Sequence, residues 1–293
     1  MKFYDWFMIT YSQALIMGLL QGVTELFPIS SLGHTVILPG LLGWKIQQSN
    51  PLFLNFLVAT HFATATVLFL FFWRDWLNII KGIFRSLASR TIATGDNYAR
   101  LGWLLVVGTI PAGLIGLLLE KKLSLLFASP FLAAVFLAAN GLLLFVAEIL
   151  RKKAPENNDA NNSDQRVARL TWAQSLKIGT AQIIALIPGF SRSGATMAGG
   201  LIFGLSHEDA MRFSFLLATP IIGAAAVLKL PALFKVENHA ILGPAFLGAL
   251  AAALTAYLSI KFLLRYFQTN KLTPFAVYCL LAGVVSFLVL YFK

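Results

Sequence analysis

The chain offers a single thiol. Cys279 is its only cysteine and lies inside an apolar run, which excludes an internal disulfide and a thiolate metal centre. Charge is scarce too: Asp, Glu, Lys and Arg make up 12% of the 293 residues, and only 12 residues are acidic. So little charge cannot clothe a soluble surface. With 58% apolar residues and a mean hydropathy of +0.77, a water-soluble fold would need several buried helices lacking any polar face. A cleavable signal peptide is not expected either. Lys2 precedes a hydrophobic stretch, but Asp5 interrupts the approach and no small-residue cleavage pattern closes it, so this segment is expected to be retained.

What the chain has in abundance is uncharged runs. Residues 101–119, 240–260 and 274–292 each suit a helix crossing ~30 Å of hydrocarbon. Residues 130–147 and 53–73 are nearly as clear, interrupted by Asn140, Asn55 and His61, and 213–228 extends past Lys229 by snorkelling. The sequence therefore predicts an all-α, polytopic membrane protein. Its net charge of +11 is read as charge on one side of a bilayer, with membrane lipids as partners and no nucleic acid.

One long hydrophilic interval, RKKAPENNDANNSDQRVAR (151–169), reads as an exposed linker between two halves that repeat each other. GLLQGVTELFPISSLGHT (18–35) set over GTAQIIALIPGFSRSGAT (179–196) aligns Gly18 with Gly179, Gln21 with Gln182, Ser30 with Ser191, Gly33 with Gly194 and Thr35 with Thr196. A second echo, FLVAT (56–60) against FLLAT (215–219), follows in the same order. Each longer segment is too broken by Pro, Gly and polar residues to span, and broken backbone at membrane depth needs protein or water around it. The expected architecture is an inverted repeat within one membrane domain, repeat 1 over about 1–150 and repeat 2 over about 170–293. Six spanning helices, at roughly 53–73, 101–119, 130–150, 210–232, 240–262 and 273–292, accompany two re-entrant helical hairpins. The hairpin tips lie at PISS (28–31) and PGFSRS (188–193), entering from opposite faces. In this layout basic residues at 74–100, 151–177, 212 and 261–271 outnumber roughly twofold those on the other side, putting the first group in the cytoplasm and both termini outside.

The tips carry the chemistry. Gln21 and Glu25, four apart, share a helix face. Past Pro28, Ser30 and Ser31 are placed to cap a new helix, with His34 one turn further. The second tip supplies Ser191, Arg192, Ser193, Gly194 and Thr196. Two helix N-termini, hydroxyls, close-approach glycines and one guanidinium describe an oxyanion cradle for phosphate, to which Gln21 adds an amide. A carboxylate facing phosphate is repulsive unless a cation intervenes or it handles protons. The expected roles are Ser31 as nucleophile, His34 as its acid/base partner, Glu25 orienting His34 or holding a divalent cation, and Arg192 stabilising the transferring phosphoryl group. Together these predict phosphoryl transfer to water. A transporter or scramblase for a phosphorylated lipid could use the same cleft, but transport alone calls for no Ser–His pair; a purely structural subunit leaves Arg192 unexplained. Gly179, Thr180, Gly199 and Gly200 are assigned to packing, His61 to a structural hydrogen bond, His207 and His239 to loops, and Glu120 and Glu148 to solvated span ends.

QGVTELFPISSLGH and PGFSRSGAT resemble the two signatures of the bacterial undecaprenyl-diphosphate phosphatases of the bacitracin-resistance type, and the likeness extends over the chain, including SFLLATP at 214–220. The resemblance implies an integral enzyme of the bacterial inner membrane. It would cleave undecaprenyl diphosphate, a polyprenyl diphosphate lipid, to undecaprenyl phosphate and inorganic phosphate, with its site open to the outer face. It implicates Glu25, Ser30, Ser31, His34, Ser191, Arg192 and Thr196, and a divalent cation (Mg or Ca). A homodimer is compatible with it. The chain departs from the commoner ExxxE pattern by placing Gln21 at the first carboxylate, which puts a two-carboxylate metal site in doubt, and it has Leu32 where many relatives have Thr.

Overall fold

A computed structural model describes residues 9–48, 50–126, 129–151, 163–235 and 239–293, with side chains placed outside 120–126. The N-terminal stretch around Lys2 and Asp5, most of the Asn-rich linker and the Glu120 side chain lie outside the described residues. Twelve α-helices follow in order: α1 (Tyr11–Thr24), α2 (Ser31–Leu42), α3 (Pro51–Phe71), α4 (Trp73–Ser89), α5 (Asn97–Leu126), α6 (Pro130–Leu150), α7 (Ser163–Val167), α8 (Trp172–Ala181), α9 (Arg192–Ile202), α10 (His207–Leu233), α11 (His239–Tyr266) and α12 (Thr273–Phe292); a short 3-10 helix, Gln182–Leu186, links α8 to the α9 loop. There is no strand among the described residues. The chain is an all-α polytopic membrane protein: α3, α5, α6, α10, α11 and α12 are long and apolar enough to cross a bilayer.

By contrast α1, α2, α8 and α9 have 14, 12, 10 and 11 residues, and at about 1.5 Å per residue none crosses ~30 Å alone. Their boundaries are written twice in the chain. Thr10 and Gln13 form a capping box at the start of α1, and Thr171 and Gln174 form the same box on α8. Ser30 caps α2 through the Gly33 N–H, and Ser191 caps α9 through the Gly194 N–H.

Contacts fix which helix ends lie together. Lys293, closing α12, donates to the carbonyls of Gly40 and Leu41 near the end of α2. Ile9, Phe53 of α3, Leu233 of α10 and Ile241 of α11 share one apolar cluster. At the opposite end of the bundle, Arg100 of α5 donates to the carbonyls of Ala168 and Leu170. Gln174 of α8 reaches Phe203 O just past α9, and Glu148 of α6 meets His207 of α10. The α1–α2 pair thus starts and finishes at one end, and the α8–α9 pair at the other.

Small residues let these pairs sink into the bundle. A Cβ at Gly18 would collide with the carbonyl of Gly248 on α11, and one at Gly179 with that of Gly108 on α5. Gly189 has φ +111, and a Cβ there would sit 2.5 Å from Ala133 O of α6.

Three sequence expectations change. The 17-residue helix α4 lies between α3 and α5 where only a basic stretch was foreseen. The described part of the linker is not simply exposed: α7 buries Asp164 and Val167, and Asp164 is paired with Arg212. Glu148 is not solvated. Its carboxylate accepts the Leu272 N–H at 2.6 Å and faces His207 Nε2 at 2.7 Å, so His207, at the start of α10, is engaged as well.

The glycine crossings generate a first prediction. Gly18→Ala and Gly179→Ala each destabilise the purified protein, by roughly 1–3 kcal/mol for overpacking against rigid backbone. Gly113→Ala, with nothing within 4 Å of the added Cβ, does not. Thermal unfolding in detergent checks this, and equal midpoints for all three variants would refute the crossings.

Candidate active site

The two breaks meet. Glu25 ends α1 as its C-cap, and the chain then turns through Pro28 to Ser30, which has a φ of +70 and accepts the Gly33 N–H of α2 at 3.1 Å. A Cβ at Gly33 would come within 2.9 Å of the Gly189 Cα, so the tips touch at backbone distance. Ser193 Oγ donates to Phe27 O at 2.8 Å. Asn140, fully buried on α6, bridges both tips: its Nδ2 donates to Pro28 O at 3.0 Å, and its Oδ1 accepts the Ser191 N–H at 3.0 Å. Open backbone of each tip is thereby satisfied by its neighbours, as buried amides require.

Beside this clamp lies a charged cluster. Glu25 Oε2 accepts the Ser31 hydroxyl at 2.5 Å and Gln21 Nε2 at 3.2 Å, and lies 3.3 Å from His61 Nε2. Glu25 Oε1 is 3.4 Å from an Arg192 terminal nitrogen. The other terminal nitrogen of Arg192 donates to Ser214 O at 3.2 Å, while its Nε is buried with no partner. Thr196 is tied in through its hydroxyl, 2.6 Å from Ser214 Oγ. Gln21 Oε1 is buried and unpaired as well. One carboxylate and one guanidinium therefore face each other in a mostly buried cluster, with donor capacity on the guanidinium left over.

His34 faces away from this cluster. Its Nδ1 is 2.7 Å from Ser30 O and its Nε2 2.8 Å from the Tyr278 hydroxyl, with the two rings stacked 5.7 Å apart. A backbone carbonyl at Nδ1 demands a proton there, so Nε2 accepts from Tyr278. The expected hydrogen bond between Glu25 and His34 is absent. The group touching the Ser31 hydroxyl is Glu25, and the imidazole touching Glu25 is His61.

Of the residues expected at the site, Gln21, Glu25, Ser31, Arg192 and Thr196 gather in the charged cluster. Ser30, Ser191, Ser193 and Gly194 build the tip contact, and His34 lies on its outer side. His61, Asn140, Ser214 and Tyr278 were not foreseen in these places. His61 directly follows the repeated FLVAT, and Asn140 interrupts an otherwise apolar run, which are the signals that could have marked them; Tyr278 carries none.

A divalent cation would find one carboxylate here, Glu25, which already faces a guanidinium 3.4 Å away. The Ser31 hydroxyl and the unpaired Gln21 Oε1 are the neutral oxygens beside it, so any such ion would draw most of its ligands from water and substrate phosphate. No three His, Cys, Asp or Glu side chains group together among the described residues.

Comparison with known proteins places this geometry in context. The family model described as bacitracin resistance protein BacA matches residues 14–285. The chain is 48% identical over 296 residues to an undecaprenyl-diphosphatase of Mycolicibacterium paratuberculosis, covering 95% of this chain and 96% of that relative. It is 46% identical over 284 residues to undecaprenyl-diphosphatase 2 of Chromobacterium violaceum, covering 94% and 97%. It is also 46% identical over 286 residues to an undecaprenyl-diphosphatase of Acidiphilium cryptum, covering 95% and 98%.

The Asn140 bridge is testable apart from any activity. Asn140→Leu leaves Pro28 O and the Ser191 N–H without their partner, costing about 1–3 kcal/mol for each orphaned group. A thermal scan in detergent reads this loss as a lowered midpoint against the parent. An Asn140→Leu variant as stable as the parent would dissolve the bridge.

Proposed function

The chain belongs to the bacitracin-resistance BacA family, and from that premise we propose that it hydrolyses undecaprenyl diphosphate. The products are undecaprenyl phosphate and inorganic phosphate, which returns the lipid carrier of cell-wall synthesis to use. Its relatives, undecaprenyl-diphosphatases by name, support the activity. The observation that carries the assignment to this site is the Ser31 hydroxyl on Glu25, beside an incompletely paired Arg192.

In this reading the terminal phosphate enters between the tips and takes Glu25's place on Arg192, also engaging the free Nε. The α2 and α9 N-termini point their positive ends at the same spot. Glu25, released from the guanidinium, takes the Ser31 proton as Oγ bonds to the terminal phosphorus. The bond from that phosphorus to the bridging oxygen breaks, and undecaprenyl phosphate leaves with the electron pair. The departing phosphate oxygen carries off the proton that Glu25 had taken, so the carboxylate is free to deprotonate a water. That water cleaves the phosphoserine, and Glu25 passes the water's proton to the Ser31 oxygen as it leaves. A water attacking directly would use the same base. Arg192 holds the equatorial oxygens throughout. His61, 3.3 Å from Glu25 and bonded to Leu57 O through Nδ1, keeps the carboxylate in place. His34 joins the substrate by exchanging its Tyr278 partner.

The two helix pairs are read as re-entrant hairpins, α1–α2 from the outer leaflet and α8–α9 from the inner one. Supporting this are their short lengths, their matched capping boxes and their return to opposite ends of the bundle. The end bearing Arg100, Arg151 and Lys271 is assigned to the cytoplasm by its excess of bases, with the C-terminus outside.

Purified protein in detergent, given undecaprenyl diphosphate, should release phosphate. Arg192→Ala and Glu25→Gln should each lower kcat on the order of a hundredfold to a thousandfold, and Ser31→Ala should prevent trapping of a phosphoserine. Undiminished release by both Arg192→Ala and Glu25→Gln would move the chemistry elsewhere. Headgroup movement across liposomes without phosphate release would favour the transporter reading.

A further inference from the structure

Helix α4 takes no part in the site, and its surface falls into three strips. Ile79, Gly82 and Ser86 are buried and face the first two turns of α5: a Cβ at Gly82 would press on the Ala99 backbone, and the Trp103 indole donates to Ser86 Oγ at 2.8 Å. Ile79 and Ile83 both meet Gly102 as well, so residues 79 to 86 of α4 bear on a short stretch near the start of α5 and α4 crosses it at the second end of the bundle. Trp73, Leu77, Ile80, Phe84 and Leu87 make the second strip, each between 40% and 67% exposed. At about 100° per residue they fall within an arc of roughly 80°. Arg74, Lys81 and Arg85 form the third strip along one flank of that arc, and Arg90 closes the helix. Arg85 pairs with Asp96, whereas among the described residues no acidic side chain reaches Arg74, Lys81 or Arg90; Arg74 packs over the Trp73 ring.

A five-residue apolar stripe open to the surroundings, flanked by cations without counter-ions, matches one environment: the boundary between acyl chains and anionic headgroups. We propose that α4 lies in the plane of the membrane, with Phe84 and its neighbours among acyl chains and Arg74, Lys81 and Arg90 binding the phosphates of anionic phospholipids. This surface is distinct from the tips and stands whether or not they hydrolyse a diphosphate. A second copy of the chain would find like charges facing its own.

The full chain is reconstituted into vesicles of phosphatidylcholine with phosphatidylglycerol. A nitroxide on Phe84→Cys is expected to be reached by oxygen and shielded from a water-soluble nickel complex, while one on Lys81→Cys is expected to be reached by nickel; Cys279, being buried, stays unlabelled. Retention of phosphatidylglycerol over phosphatidylcholine by detergent-extracted protein should fall about fivefold for each of Arg74→Gln, Lys81→Gln and Arg90→Gln. The thermal midpoint of the triple variant shows that it is folded. A Phe84 label open to nickel, a label shielded from both reagents as under a protein partner, or an unchanged lipid preference in the folded triple variant would each overturn the assignment.

Discussion

A carboxylate and a guanidinium buried between two helix breaks set the terms for the rest of the molecule. Glu25 comes from the first break and Arg192 from the second, 3.4 Å apart. Removing either charge from water costs several kcal/mol unless a partner replaces the lost hydration, so neither break is tolerable without the other. At 3.4 Å, and with Arg192 Nε unpaired, the pairing is incomplete. On the proposed reading a phosphate would bring more oxygens, in a geometry that a guanidinium meets bidentately, and displacing Glu25 would free it as a base. The same contact thus ties the two breaks together and, on the proposed reading, is the one that an arriving anion would exchange.

That pairing depends on the breaks staying at a fixed separation. Asn140 and Ser193 bind one tip to the other through backbone groups that have no water to turn to. Glycine crossings at Gly18 and Gly179 bring the supporting helices into backbone contact with α11 and α5. The Gly189 backbone, at φ +111, passes against α6 where a side chain has no room. Close packing, amide satisfaction and charge pairing therefore serve one end: two irregular segments held at depth inside a helical bundle.

The spans were legible because hydrocarbon thickness imposes a length that an uncharged run records directly, as at 130–147 and 274–292. The tips were legible because Pro28, Pro188, Gly189 and Arg192 violate that rule in apolar surroundings. Side-chain partnerships were less so. His61 and Glu25 meet across 36 residues and His34 and Tyr278 across 244, and no local pattern states which imidazole turns toward which oxygen. Helix α4 escaped because its apolar stripe is interleaved with bases, so it scans as a charged stretch until its periodicity is traced. The linker was judged on the Asn-rich composition of its first part, while its last residues fold into α7 and place Asp164 on Arg212.

The internal echo separates scaffold from chemistry. Positions matching between the halves are those a buried helix break needs every time: Thr10 and Thr171 with their capping glutamines, Ser30 and Ser191 on the helix N-termini, and Gly18 and Gly179 at the crossings. Thr35 and Thr196 both bond back to a carbonyl four residues earlier. Positions that differ include those the proposed reaction would need once. In the same register Glu25 answers to Leu186, Ser31 to Arg192 and His34 to Ala195, and, beyond the second echo, His61 answers to Pro220. A site with two carboxylates or two guanidinia would set like charges face to face in a low dielectric. One of each, contributed by the two breaks, is the division that the proposed hydrolysis of a diphosphate would use, and it falls where the two echoing segments depart from one another.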